Sequence, residues 1–172
     1  LDFESGIHKL ADNEVLLSYA NTVLAIKKNK NVFSCTTLCI LPVKEHITSL
    51  FYNNGELWVG SVAGVWLFKE NSFKKIQLPH TYDKHINQHR DGKLWVTTTN
   101  GIYILKNNSL VKDLNLKDGL PNSFVYGVLF DFAGNAWVST NRGLAKIDST
   151  FSITTYSAKE GLQGDEFNTK GY

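Results

Sequence analysis

Gly55-Glu56-Leu57-Trp58-Val59-Gly60-Ser61-Val62-Ala63-Gly64-Val65 is the stretch that decides the fold. Its first half alternates polar and apolar residues, as a half-buried strand does. Ser61-Val62-Ala63-Gly64 supplies a tight connection, and Val65-Trp66-Leu67-Phe68 follows as a strand apolar on both faces. The phrase returns twice. Gly92-Lys93-Leu94-Trp95-Val96 leads to Gly101-Ile102, and Gly134-Asn135-Ala136-Trp137-Val138 leads to Gly143-Leu144. Each Trp precedes the second Gly by six residues, and the three Trp stand 37 and 42 residues apart. A step of about 40 residues built from strands signals a radial or stacked repeat. The glycines supply turns that need positive φ. The Trp residues are expected to be equivalent buried packing residues.

Ahead of the phrase, Ile47-Thr48-Ser49-Leu50-Phe51-Tyr52 reads as an inner strand turned by Asn53-Asn54-Gly55. Behind it, Lys69-Glu70-Asn71-Ser72 is a polar turn. Phe73-Lys74-Lys75-Ile76-Gln77-Leu78 is an outer strand whose lysines suit a sheet edge. Four antiparallel strands are the content of one β-propeller blade. Residues 125–130, 136–140, 144–148 and 151–156 repeat the plan, and His85-Ile86-Asn87-Gln88-His89 is a weaker inner strand for the middle copy. The expected fold is all-β: a propeller fragment of about four four-stranded antiparallel blades in a single segment, residues 1–172. Blades are expected at about 46–79, 84–116 and 123–157, with a further blade starting at 165–172. Residues 1–45 read as degenerate blade material. There Gly6-Ile7 starts a third strand, Val32-Phe33-Ser34-Cys35 stands in for a Trp-containing strand, and no room remains for a full fourth strand after Ile40. From a start in mid-repeat and the absence of Met, the chain is expected to be part of a larger propeller, with open strand edges and a tendency to self-associate.

Asp131-x-x-Gly134-x-x-Trp137-Val138-Ser139-Thr140-x-x-Gly143-Leu144 resembles the two-component regulator propeller repeat. So does Asp118-Gly119-Leu120-Pro121-Asn122-Ser123. The tail Glu160-Gly161-Leu162-Gln163-Gly164-Asp165-Glu166-Phe167-Asn168 resembles the opening of that family's last blade. The resemblance covers roughly residues 46–172. It implies the extracytoplasmic, periplasmic sensor region of a hybrid two-component histidine kinase and response regulator. In that family an all-β Tyr-rich domain, an inner-membrane helix and a kinase usually follow. It also implies a carbohydrate ligand, often an oligosaccharide, and a signal passed to the kinase through conformation or dimer geometry. The expected partners are an oligosaccharide or other small ligand, the rest of the sensor chain and a second copy in a homodimer.

Composition narrows the field. The formal net charge is +2 and the lysines are dispersed, so no basic stripe for nucleic acid is present. No apolar run approaches the ~20 residues of a membrane span, so no membrane contact by the segment itself is expected. His80, Asp83, His85, His89 and Asp91 form the densest titratable cluster, but residues four apart on a strand lie about 13 Å apart at ~3.3 Å each, too far to share a metal. Asp91-Gly92-x-x-Trp95 is a turn device of the Asp-box kind. Only Arg90 and Arg142 are available, so the arginine triad of a sialidase is missing. Neither a cofactor, a metal nor a catalytic residue is expected. Cys35 and Cys39 are either two buried free thiols or a pair facing each other across a hairpin.

Function in a propeller concentrates in loops carried by a rigid scaffold. Loops from an outer strand to the next inner strand share a face with the turns between second and third strands. That face is expected to collect Tyr82, Lys84, His85, Asn122, Glu166 and Asn168, with Asn100, Asn141 and Arg142 from the turns. Amides and charged groups suit sugar hydroxyls, and Tyr82 can pack on a ring. Two other readings stand beside this one. One is a lyase- or lactonase-type propeller enzyme, in which His46 or His85 would work with Glu166; the other is a structural module that mediates dimerisation.

Overall fold

The computed structural model describes residues 6–80, 82–164 and 166–167. They form four antiparallel sheets of four strands, each strand hydrogen-bonded to its neighbours in chain order. The only helical pieces among the described residues are two 3₁₀ turns. The chain divides into two compact units between Ile76 and Gln77. The first holds β1 (Ile7–Ala11), β2 (Glu14–Tyr19), β3 (Thr22–Asn29) and β4 (Val32–Ile40) in one sheet. β5 (Ile47–Asn53), β6 (Glu56–Ser61), β7 (Gly64–Lys69) and β8 (Ser72–Ile76) make its other sheet.

The second unit holds β9 (Asp83–Gln88), β10 (Leu94–Thr98), β11 (Gly101–Lys106) and β12 (Ser109–Leu114), then the first 3₁₀ turn, Leu116–Asp118. β13 (Val125–Phe130), β14 (Ala136–Thr140), β15 (Gly143–Ile147) and β16 (Ile153–Tyr156) follow, then the second 3₁₀ turn, Ala158–Glu160.

Residues 7–40 depart from the expectation of degenerate material: they build a complete sheet. Val32 opens its outer strand rather than a Trp-type strand. Register identifies the true counterpart. Thr22 pairs with Tyr19 as Gly64 pairs with Ser61, Gly101 with Thr98 and Gly143 with Thr140. Three residues before each pair stand Leu16, Trp58, Trp95 and Trp137. Leu16 therefore takes the Trp place and is fully buried. The sheet is invisible to the glycine pattern because Ala20 and Lys30 occupy its left-handed turn positions, at φ 51° and 55°.

The cysteines do not face each other across a hairpin. Both lie on β4, four residues apart and beyond the ~7 Å Cα reach of a disulfide. Cys35 is exposed. Cys39 joins Leu16, Val23, Leu57 and Val59 in the core of the first unit, and burial pushes its thiol up to about 11.

In the second unit the two sheets pack face to face. Trp95, Ile102, Ile104 and Leu114 meet Val125, Val128, Val138 and Ile147, and Leu120 from the connecting loop plugs the seam. Trp95 rests edge-on against Phe130 and at a tilt on Phe151. Trp137 occupies the same register position yet is only half-buried. It stands outside the core cluster of the second unit, and the indole stacks on Tyr156 of its own sheet. The three Trp are equivalent in register but unequal in burial.

Candidate ligand-binding face

The candidate face is assembled from loops that the same local chemistry builds twice. After β12, the Asn115 side chain accepts the Lys117 N–H at 2.9 Å, and Asp118 accepts the Asn115 N–H at 3.0 Å. After β16, Ser157 accepts the Lys159 N–H at 3.2 Å, and Glu160 accepts the Ser157 N–H at 2.7 Å. These are reciprocal capping boxes. Each 3₁₀ turn ends on a left-handed glycine, Gly119 or Gly161.

The turns between second and third strands carry a device of their own. Ser61, Thr98 and Thr140 are buried hydroxyls that donate to the carbonyls of Gly64, Gly101 and Gly143. They accept the N–H of Ala63, Asn100 and Arg142. Gly101 and Gly143 are required twice over. Both have positive φ, and a Cβ at either would run into the carbonyl oxygen of Leu114 or Tyr156. Loops and turns are then tied together by Gly101 N–H to Ser123 O at 2.7 Å, Thr99 N–H to Tyr82 O at 3.3 Å and Asn141 N–H to Phe124 O at 3.1 Å.

This scaffold brings several of the expected residues together. Lys84 is largely buried, with its ammonium 4.3 Å from the centre of the Tyr82 ring and 5.3 Å from that of Phe124. Such cation–π contacts strengthen when water is excluded. Phe124 packs against Tyr126, whose hydroxyl donates to Asn141 at 3.0 Å. Asn122 accepts the Phe124 N–H at 2.8 Å and so shapes the loop. Asn100 hydrogen-bonds Tyr103, whose hydroxyl is driven above its ordinary range by burial, against the lowering effect of that bond. Glu166 is exposed, and Asn168 lies outside the described residues.

His85 stands apart from this group. Its Nδ1 accepts the Val128 N–H at 3.3 Å, and burial holds its pKa down to about 4. The imidazole is therefore neutral at neutral pH and turned toward β13.

Two features of the face were not legible as site residues. Tyr126 falls inside the inner strand expected at 125–130, and Phe124 directly precedes it. Lys159, not among the expected face residues, lines a pocket of about 390 Å³ with Pro121, Arg142, Tyr156 and Glu160. Arg90 is no part of the face: its guanidinium donates to the carbonyls of Phe132 and Ala133, both at 3.0 Å, clamping the turn between β13 and β14. Among the described residues no group of three or more His, Cys, Asp or Glu could hold a metal ion, and no helix is long and apolar enough to cross a membrane.

Four-stranded antiparallel sheets, each passing from its outer strand to the next sheet's inner strand, define the β-propeller class. Comparison with solved structures agrees. The extracellular domain assigned to a hybrid two-component system of B. thetaiotaomicron is similar over 94% of this chain, with a TM-score of 0.70 and 16% identity. A second such domain from the same organism is similar over 90%, with a TM-score of 0.68 and 18% identity. Virginiamycin B lyase from Staphylococcus aureus is similar over 95%, with a TM-score of 0.71 and 18% identity. The chain spans 29%, 25% and 59% of those three structures. No protein-family model and no curated protein matches the sequence.

Proposed function

We propose that this chain is a ligand-sensing propeller segment of the extracytoplasmic region of a hybrid two-component sensor, and that its ligand is a carbohydrate. The observation that carries the reading is the loop pair. The phrases at residues 118–123 and 160–168, on which the family resemblance rests, begin in equivalent capped turns beside the candidate face. The likeness to extracellular domains of two-component systems supports the same reading. In this reading the segment has no catalytic activity of its own, lies in the periplasm and works together with the rest of a membrane-anchored kinase chain.

A lyase-type enzyme is the second reading, favoured by the likeness to virginiamycin B lyase. A glycan-array screen of the chain, followed by calorimetry, separates the two. Saturable oligosaccharide binding, weakened at least tenfold in Tyr82→Ala with the fold intact, is the expected result. Turnover of a substrate, or a folded chain that ignores every glycan, would reject the sensor reading.

A further inference from the structure

We propose that the pocket between Arg142 and Lys159 is a subsite for a carboxylate-bearing sugar, a uronic acid, so that the carbohydrate of the preceding reading, on which this inference rests, is an acidic one. At about 390 Å³ the pocket lies toward the small end of the ~300–1,000 Å³ range of ligand sites, room for a short ligand.

Its charge is arranged for an anion. Among the described residues neither the Arg142 nor the Lys159 side chain makes a hydrogen bond or a salt bridge, although the charge of Lys159 helps to lower the pKa of Glu160. Glu160 is the acidic residue among the described lining, and one of its oxygens is already engaged. Its Oε2 accepts from the Ser157 N–H at 2.7 Å and from the Ser157 hydroxyl at 2.6 Å. One carboxylate oxygen is thus committed to the loop; Lys159 shares its charge with Glu160, and Arg142 is the cation open to a ligand. With Arg142 and Lys159 positive and Glu160 negative, the described lining carries a formal charge of +1. A guanidinium fork matches a planar carboxylate by two parallel hydrogen bonds, which a free hydroxyl cannot reproduce. Pro121 and Tyr156 supply half-buried apolar surface on which the C–H face of a sugar ring can lie.

The neighbouring sheet provides an internal control. The place of Arg142 is taken there by Asn100, whose side chain is spent on Tyr103. The place of Tyr156 is taken by Leu114, which is fully buried, and that of Glu160 by Asp118, which pairs with Lys112 at 3.6 Å. Lys117 stands in the place of Lys159 in the equivalent capped turn, so the guanidinium and the Tyr156 ring are what distinguish the second site.

The test is calorimetry on the 172-residue chain at low salt, with four probes: a glucuronate-terminated disaccharide, the same disaccharide with glucose in place of glucuronate, inorganic sulfate and a glutamate-rich peptide. The acidic disaccharide is expected to bind at least tenfold more tightly than the neutral one, with affinity falling as salt rises. Arg142→Ala should weaken it at least tenfold, Arg142→Lys less, and Lys159→Ala severalfold. Amide shifts at Tyr156 and Ser157 on titration locate the contact independently of any variant. Equal binding of the two disaccharides, or affinity unchanged in both Arg142→Ala and Lys159→Ala, would overturn the subsite. Neutral-sugar binding that ignores Arg142 would do so while leaving the sensor reading intact. Failure of all glycans would remove both. Tighter binding of sulfate or of the peptide than of the acidic disaccharide would also overturn the subsite, by identifying a free-anion or protein contact instead.

Discussion

His85 and Val128 are joined across two sheets: Nδ1 of the imidazole accepts the backbone N–H of Val128 at 3.3 Å. Two residues along the strand, the Asn87 amide donates to the carbonyl of the same Val128 at 3.1 Å. β9 and β13 belong to different sheets, so no backbone ladder connects them. Two side chains of β9 supply what a ladder would have supplied, and both polar groups of a buried residue are satisfied. His85, placed on the ligand face by sequence reasoning, thus holds neighbouring sheets together.

Acid should therefore loosen the second unit. Burial lowers the folded-state pKa of His85 from an ordinary 6.5 to about 4. Between those values the unfolded chain binds more protons than the folded one, so stability rises with pH there and falls as pH drops from 6.5 toward 4. The contribution is fully present above 6.5. The full interval corresponds to roughly 3 kcal/mol as an upper bound. An NMR titration should place the His85 midpoint below pH 5. A midpoint near 6.5 in the folded protein would contradict the buried, neutral assignment.

The serine and threonine turns give a second expectation. Thr98→Val and Thr140→Val keep the shape but remove a hydroxyl that satisfies one N–H and one carbonyl inside the protein. Leaving the buried groups without partners should cost about 1–3 kcal/mol in each variant. Denaturant midpoints measure the loss. Thr99→Val, adjacent to Thr98 but outside this hydroxyl device, is the control and should change little. Equal effects at Thr98 and Thr99 would remove the turn from the account.

The tryptophans should separate by burial despite their common register. Trp95→Ala is expected to cost about 3–5 kcal/mol, the range for large aromatic core residues. Trp137→Ala should cost about half as much or less, because part of the indole is already in solvent. Its ring nitrogen does have a partner, Asp131 at 3.0 Å. Hydrogen bonds from Asn135 and then Trp137 hold the Asp131 carboxyl well below the usual carboxylate range. Equal losses in the two variants would mean that the exposed face of β14 is covered in solution.

Much of the fold is legible because glycine, tryptophan and the hydroxyl residues punctuate three of the four sheets at fixed spacing. The first sheet lacks those marks: Leu16 replaces the Trp, and Ala20 and Lys30 make the turns. Packing, which sequence periodicity senses only indirectly, selected strands there that punctuation could not reveal. The candidate face was legible as a set of loops and less so residue by residue. Whether a strand residue such as His85 or Lys84 faces a ring, a backbone group or solvent depends on which neighbour its sheet meets. Asp91 and Asp131 illustrate the same limit. Asp131 stands six residues before its Trp and binds the indole, whereas Asp91 stands four before Trp95 and caps Lys93 instead. At the six-residue position in that sheet stands His89, which packs against Phe130.

The glycines allow the sharpest separation of backbone strain from close approach. Gly92, Gly101, Gly143 and Gly161 all lie in the second unit at positive φ, between 82° and 106°. Alanine at any of them should cost about 1–2 kcal/mol for the left-handed backbone alone. At Gly92 and Gly161 a new Cβ meets nothing within 4 Å, so that should be the whole loss. At Gly101 and Gly143 the Cβ would collide with a main-chain carbonyl oxygen at the end of the following outer strand. A main-chain oxygen cannot swing aside as a side-chain tip can, so the turn must move away from Leu114 or Tyr156 and break the tie between turn and loop. Gly101→Ala and Gly143→Ala should therefore lose roughly twice as much as the other two. Gly143→Ala should also disturb the pocket beside Tyr156, while Gly161→Ala leaves it in place. Denaturant midpoints for the four variants, with amide shifts at Tyr156 and Ser157, decide the matter. Four equal losses would show that positive φ alone explains the repeat's second glycine.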